Sequence, residues 1–320
     1  MKASLFGRIL GRSRPPGWLA VELGDQTVSL THVVPEGGQP AVEFAEERSW
    51  DAADPKSLEH VAREFGVKRF RCTTLLRPDE YQILMVEAPA VKPEELKSAV
   101  RWRIKDMLDY HVDDATIDVL DVPVPAGAAQ RGHYMYTVAA RNATIRATID
   151  RFAAAGMPLA VIDIPDTAQR NLAARVEADQ RAVVALTFDA HGGLITVNFN
   201  AELYLSRRLD VTASQLADAE ADAEIRARLF DKVLVETQRS LDHCERTYPF
   251  FALGRLLVGP LAGDSGLREH LAANLYLPAE ALELAQLVRL PASAASWTSA
   301  EQAKWLKLIG AGLRVEKKAL

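Results

Sequence analysis

From Trp18 the apolar positions alternate with a period of two: Leu19, Val21 and Leu23 are interleaved with Ala20 and Glu22. Such spacing puts successive side chains on opposite faces of a strand. A turn at Gly24-Asp25, an apolar-rich stretch from Thr27 to Val33, a Gly37-Gly38 turn and Ala41 to Ala45 follow, and together they predict a three-stranded meander. The same construction returns at Val183 to Phe188, with a turn at Asp189-Ala190-His191-Gly192-Gly193, then Leu194 to Phe199 and Leu203 to Ser206. Glu22 and Asp189 hold equivalent places in the two copies. A repeated unit predicts two similar lobes facing one another, with a ligand cleft between them.

Between the copies the period changes. Pro55 to Phe65 reads as a helix with Leu58, Val61, Ala62 and Phe65 on one face, and Phe70 to Leu76 and Tyr81 to Val86 as strands around an Arg77-Pro78-Asp79-Glu80 turn. Pro93 opens a helix whose apolar stripe is Leu96, Ala99, Val100, Ile104, Met107 and Leu108. Two more strands, Thr116 to Val124 and His133 to Ala140, precede a helix from Asn142 to Ala155, a short strand at Leu159 to Ile164, and a connecting helix from Asp166 to Glu177. The second half adds a mostly helical Ala213 to Tyr248, a strand at Leu256 to Val258, a helix at Ser265 to Leu275, and a C-terminal helix capped by Thr298 and Glu301 and bearing Leu306 and Ile309. Helix and strand after each meander predict an α/β class rather than a sandwich. The expected organisation is a basic arm over 1–17, a first lobe over 18–176 with an inserted subdomain at about 66–124, and a second lobe over 177–320.

Composition narrows the function classes. The 320 residues carry a net charge of −5, which gives no global positive field to draw in nucleic acid. Cys72 and Cys244 stand far apart without metal-ligand spacing, so neither a disulfide framework nor a zinc site is expected, and a reducing cytosol is the simplest home. No apolar run reaches the roughly 18–20 residues that span a bilayer, and the N-terminal stretch lacks a cleavage site of small residues. Lys2, Arg8, Arg12 and Arg14, beside Leu5, Phe6, Ile9 and Leu10, suit either a solvated tail or contact with an anionic leaflet.

Chemistry-bearing motifs are sparse. Gly263-Asp264-Ser265-Gly266 matches the surroundings of a serine-protease nucleophile, but after a buried strand and before a helix its Asp and Ser read as N-caps. The seven histidines form no HExxH or i, i+4 pair, and neither GxxxxGK[ST] nor GxGxxG occurs. Two facing hairpin turns could instead clamp a nucleotide's phosphates through backbone N–H groups, with Glu22 and Asp189 near a hydrated Mg²⁺. Two ordinary turns with surface carboxylates explain the same residues. Glu236, Arg239 and His243 share a helical face, either as an adenosine-side set or as a solvated salt-bridged face.

Leu19-Ala20-Val21-Glu22-Leu23-Gly24-Asp25-Gln26-Thr27-Val28 resembles the first phosphate loop of the actin-like PilM family of type IV pilus assembly. Glu95-Leu96 through Asp109-Tyr110 with Ile117-Asp118-Val119, Gln238-Arg239-Ser240-Leu241-Asp242 with Glu245, and Gly310-Ala311-Gly312-Leu313-Arg314 follow in family order. The resemblance covers nearly the whole chain from Trp18 and is nearest to the branch serving mannose-sensitive haemagglutinin (MSHA) pili. It implies an actin-like fold of two ribonuclease-H-like lobes with an inserted α/β subdomain. It also implies a cytoplasmic protein, peripheral at the inner membrane, that binds the cytoplasmic N-terminal tail of a PilN-like (in that branch, MshJ-like) single-pass partner. Other pilus assembly components, and optionally a second copy of the chain, are further partners; nucleic acid is not.

The resemblance assigns ATP or ADP with Mg²⁺, if retained, to Glu22, Gly24, Gln26, Thr27, Asp189, Gly192, Gly193, Glu236, Arg239 and Gly259, with Glu22 and Asp189 on the metal's water. For the partner groove the expected residues are Tyr81, Trp102, Arg103 and Tyr110, since Trp and Tyr are favoured anchors. Departures weaken the nucleotide site. Asp25 and Ser29 stand where small hydroxyls and a lysine are usual, Arg207-Arg208-Leu209-Asp210-Val211 replaces a paired glycine, and Pro260 follows Gly259. The implied role is a scaffold without robust hydrolysis and with no catalytic residue; an active Mg-dependent ATPase and a relative of the type II secretion GspL cytoplasmic domain are the alternatives.

Overall fold

The computed structural model describes residues 14–51, 53–125, 133–177, 180–262 and 266–316. Most of the basic arm, including Lys2, Arg8 and Arg12, lies outside the described residues, as do Gly263, Asp264 and Ser265 of the protease-like tetrapeptide.

Two mixed sheets repeat one topology. The first contains β1 (Trp18–Leu23), β2 (Thr27–Val34), β3 (Ala41–Ser49), β4 (Cys72–Leu75) and β8 (Leu159–Asp163), in the order β3-β2-β1-β4-β8. The second contains β9 (Ala182–Asp189), β10 (Gly192–Phe199), β11 (Glu202–Leu209), β12 (Leu253–Val258) and β13 (Ala279–Ala281), in the order β11-β10-β9-β12-β13. In both, three antiparallel strands form the meander and two more add in parallel. The duplication expected from the hydrophobic pattern is thus present strand for strand.

A third, antiparallel sheet is built from β5 (Tyr81–Glu87), β6 (Ala115–Val122) and β7 (Tyr134–Arg141), ordered β5-β7-β6. Its strands correct the expected insertion of about 66–124: β4 belongs to the first lobe's sheet, and the inserted unit runs from β5 to β7. The Arg77–Glu80 turn is therefore a passage from one sheet to another and not a hairpin. Helix α2 (Pro93–Ile104) covers the face bearing Val86, Ala115, Ile117, Met135 and Ala139. The helix stops at Ile104, earlier than the apolar stripe suggested, leaving Met107 exposed. By strand alternation the opposite face carries Ile83, Met85, Leu120, Val122 and Tyr136, which pack on the second lobe's core. Near Val138 and Ala140 that same face meets the first lobe. The insertion therefore bridges both lobes.

Helix α1 (Pro55–Glu64) is capped by Asp54 and packs with α3 (Asn142–Ala154) around the first sheet. In the second lobe, α5 (Ala213–Asp218), α6 (Ala223–Thr247) and α7 (Leu267–Asn274) surround Phe230, Val233, Leu241 and Cys244, and α8 (Leu284–Leu287) follows β13. The cysteines are buried and unpaired, and desolvation pushes both thiols up to about 12, so they pack as small apolar side chains.

The lobes are joined by two helices. α4 (Pro165–Ala173) is buried on nearly every side. α9 (Ser299–Gly312) has the expected Thr298/Glu301 capping box, but it is not confined to the second lobe: Trp305, Leu306, Leu308 and Ile309 share one core with Ala20, Val33 and Val42 of the first and Leu257 of the second. Close approach requires small residues here. A Cβ on Gly310 would lie 2.4 Å from the Ala168 carbonyl oxygen, and one on Gly312 would lie 2.4 Å from Val33 Cγ2. Asn171 Nδ2 donates to the Gly310 carbonyl at 2.9 Å, pinning the crossing. Gly310→Ala forces α4 and α9 apart and is expected to cost about 1–3 kcal/mol, lowering the thermal midpoint by several degrees in a calorimetric melt. An unchanged midpoint would mean that this contact is not tight.

Candidate functional site

The cleft between the lobes is lined at its mouth by the two first turns. Glu22 near the end of β1 and Asp189 at the end of β9 come together there, as the repeat predicted, but a lysine joins them. Lys307 of α9 is bonded through its ammonium to Asp189 Oδ2, and Asp189 Oδ1 accepts the His191 backbone N–H at 2.7 Å. Both oxygens of Asp189 are engaged. One turn earlier, Lys304 pairs with Glu47 at 2.6 Å, and Glu47 accepts from Ser29 Oγ at 3.2 Å. The cation missing at Ser29 is thus supplied from the other end of the chain.

Glu22 keeps an exposed surface, but desolvation by the surrounding turns raises its carboxyl above the ordinary value; attraction to Lys307 opposes this and repulsion from Asp189 adds to it. Burial also lifts Asp189, but the Lys307 ammonium and the hydrogen bonds to it more than offset that, and its carboxyl sits below the ordinary range. Lys307 is itself pulled down by burial, with Asp189 opposing. The cleft therefore carries its own counter-ion.

The turns present little else to a phosphate. In the first, Gly24 donates its N–H to Thr27 O at 2.8 Å, and the Trp50 indole donates to the carbonyls of Gly24 and Thr27. Gln26 is exposed and its carbonyl accepts from Trp50 N at 2.9 Å. In the second, Gly192 has φ +132°, and a Cβ there would stand 2.5 Å from Leu209 O, while one on Gly193 would stand 2.8 Å from the Phe188 ring. These glycines are explained by the close approach of β10 to its neighbours. Gly259 lines a separate cavity of about 680 Å³ with Pro260, Leu282 and Trp297, and its N–H donates to Leu186 O. Glu236 pairs with Arg239 at 2.8 Å and Arg207 at 3.8 Å, and Arg239, His243 and Arg207 line a pocket against Ile83 and Met85 of the insertion. The expected nucleotide residues are thus spread over three places, and the pair meant for Mg²⁺ already holds an ammonium. This donor set does not fit a hydrated Mg²⁺ as it stands.

Deeper in, Asp166 at the start of α4 is completely buried. It accepts from the Tyr81 hydroxyl of β5, from Ser206 Oγ of β11, and from Arg208 Nη2 at 3.2 Å, and Arg208 also reaches the Tyr81 hydroxyl. Tyr81 is therefore a buried bridging residue, which corrects its assignment to a surface groove. Three residues further along α4, Gln169 Nε2 donates to Ala185 O and Leu194 O, and Thr187 donates to Gln169 Oε1.

The other expected groove residues sit on α2 and just beyond it. Trp102 is 72% exposed with Lys105 against its ring, Arg103 lies 3.6 Å from Glu87, and Tyr110 stacks under Arg141. All belong to the α2 side of the third sheet. The opposite side holds an apolar groove of about 300 Å³ between Val138 and Ala140 of the insertion and Ile145, Ile149, Val161 and Ile162 of the first lobe. It is flanked by β8 and β6, each the last strand of its sheet, and Ile149 is 48% exposed. Among the described residues no helix is long and apolar enough to cross a membrane.

No protein-family model matches the sequence, and no curated protein matches it significantly. Solved structures do. The chain of the PilM–PilN type IV pilus biogenesis complex superposes with a TM-score of 0.68 at 17% identity, over 94% of this chain and 98% of that one. The cytoplasmic domain of EpsL, an inner-membrane component of the type II secretion system of Vibrio cholerae, gives 0.46 at 14% identity over 91% and 94%. A Bacteroides thetaiotaomicron protein with an actin-like ATPase fold gives 0.47 at 11% identity over 95% and 99%. The fold is actin-like α/β.

The carboxylates respond to pH with opposite signs. Glu22, raised in the fold, contributes stability below its ordinary value of 4.5 that is lost as pH rises through the folded value. Because Glu22 keeps an exposed surface, Glu22→Gln is expected to gain only a little stability at pH 7, the gain vanishing in acid. Asp189, lowered in the fold, contributes above its ordinary 3.8 and loses that contribution as pH falls through its folded value. Asp189→Asn strands the buried Lys307 ammonium and should cost about 3–5 kcal/mol at pH 7, less in acid. Denaturant melts of both variants from pH 3 to 8 test the pair; the same sign for both would contradict the assignment.

Proposed function

We propose that this chain is an actin-like scaffold of a type IV pilus assembly machine, of the MSHA kind represented by MshI, that works by gripping a membrane protein's cytoplasmic tail. The observation that carries the reading is the apolar groove between β8 and β6. Two sheet edges offer unpaired backbone groups to an extended peptide, and Ile145, Ile149, Val161 and Ile162 offer sockets for its alternate side chains. The likeness to the PilM–PilN complex supports a PilN-like, single-pass inner-membrane partner, with this chain peripheral at the cytoplasmic face. Gripping requires no bond to be made or broken in the peptide.

The cleft supports the same reading from the other side. With Lys307 on Asp189 and the turn amides internally bonded, the lobes are held by protein groups where an ATPase of this fold would place Mg²⁺ and phosphate. The scaffold works without nucleotide turnover, and neither ATP nor ADP is needed to close it.

Fluorescence anisotropy with a labelled N-terminal peptide of the PilN-like partner tests the grip. Saturable binding is expected, weakened at least tenfold by Ile149→Asp and little changed by Trp102→Ala. Absence of binding by the parent chain would overturn the proposal. A fluorescent ATP analogue with Mg²⁺ should show no saturable signal; micromolar binding abolished by Glu22→Ala would restore the ATPase alternative.

A further inference from the structure

We propose that the pocket at the Trp18 end of β1 binds a compact oxyanion of the phosphate class. This pocket, of about 600 Å³, opens at the opposite end of β1 from Glu22 and is walled by the β2–β3 turn, α4 and the segment that follows α9. Five arginines line it: Arg14, Arg71, Arg170, Arg175 and Arg314. None of them can shed its proton at physiological pH, so those turned away from water must find an acceptor or leave a desolvated charge, while Arg14 and Arg175 stay exposed at the rim.

Their partners are incomplete. Arg71 is matched by Glu316, and Arg175 Nη2 donates to the Gly38 carbonyl at 3.0 Å. Arg170, well buried, has a hydrogen bond from Nη2 to Asn171 Oδ1 at 3.0 Å. Arg314 is the most revealing. Its side chain is only 20% exposed, and its Nε and Nη1 are buried with no hydrogen-bond acceptor. The nearest carboxylate oxygen, Asp163 Oδ2, is 3.8 Å from Nη1, beyond hydrogen-bond reach, and Asp163 Oδ1 is already taken by Thr167 and the Ile164 N–H. Glu36, at the rim, is engaged by Arg289.

The guanidiniums are also held in place. Arg71 and Arg314 lie 4.1 and 4.9 Å from the centroid of the nearly buried Trp18 ring, which fixes both stems. Burial lowers the Arg170 pKa, Asp163 and Glu202 oppose this, and the neighbouring Arg314 adds to the lowering. A bound dianion relieves that repulsion and accepts the unmatched N–H groups. Arginine's planar fork suits phosphate oxygens better than a single halide. The pocket is independent of the peptide groove and the cleft, so its test does not depend on the proposed function.

Isothermal titration of the full chain with pyrophosphate is the direct test. Saturable binding is expected, at least tenfold weaker in Arg314→Gln and in Arg170→Gln, and unchanged in Arg63→Ala, an exposed arginine on α1. Arg175→Gln, at the exposed rim, gives a smaller loss and keeps the test readable if the buried variants do not fold. Co-sedimentation with phosphatidylglycerol vesicles against phosphatidylcholine vesicles then separates the sources. Binding to the anionic vesicles that the same variants lose assigns the oxyanion to a lipid headgroup; pyrophosphate binding without vesicle binding assigns it to a soluble phosphoester. No saturable pyrophosphate binding by the parent, or equal binding by an Arg170→Gln/Arg314→Gln double variant, overturns the proposal.

Discussion

One buried carboxylate ties the three sheets into a single body. Asp166 is fully out of water and accepts from a tyrosine of the insertion and from a serine and an arginine of the second lobe, while its own helix continues directly from β8 of the first. A desolvated carboxylate with too few donors would be costly, so the positions of β5, β11 and α4 are mutually constrained by the need to satisfy it. The insertion's location follows from this node. Tyr81 must reach Asp166, which draws β5 across the lobe boundary and leaves the β6 edge of the same sheet facing α3 and β8, where the groove opens.

The cleft obeys the same accounting of charge. Between the two first turns a protein ammonium completes the acidic set. Lys307 is anchored on a helix that touches both lobes, so the ion pair to Asp189 acts as a strut across the cleft rather than as a ligand that comes and goes. An arrangement satisfied from within is expected to be stiff.

Much of the architecture was legible because period-two alternation and Gly-containing turns are local signals. Both meanders, their equivalence, the α9 capping box and the placing of Glu22 opposite Asp189 were readable in this way. The limits of the insertion were not, because β4 and β5 are both apolar strands flanking Arg77–Glu80, and a short turn looks the same whether it closes a hairpin or leads to another sheet. Lys307 was invisible for a different reason: a lysine on an amphipathic helix is ordinarily solvated, and its partner is 118 residues away. Trp102 stands out in the sequence as an aromatic, whereas the apolar groove between β8 and β6 is made of isoleucines and valines whose sequence context is that of any core. Glycines at the second turn suggested a phosphate cradle, yet the contact with Leu209 that demands Gly192 is made by the far end of the next strand, where antiparallel pairing returns it.

The route of α9 has a consequence for how the chain is made. Its apolar face covers Ala20 and Val33 with a helix that leaves the ribosome long after them. Until that helix arrives, the first lobe keeps one side of its sheet uncovered and cannot finish folding as an independent unit, although domains usually do so in order of synthesis. A chain stopped short of α9 would lose at one stroke the plug of the cleft, the partner of α4 and the cover of β1. Products that stop before α9 are thereby made conspicuous to proteases and chaperones.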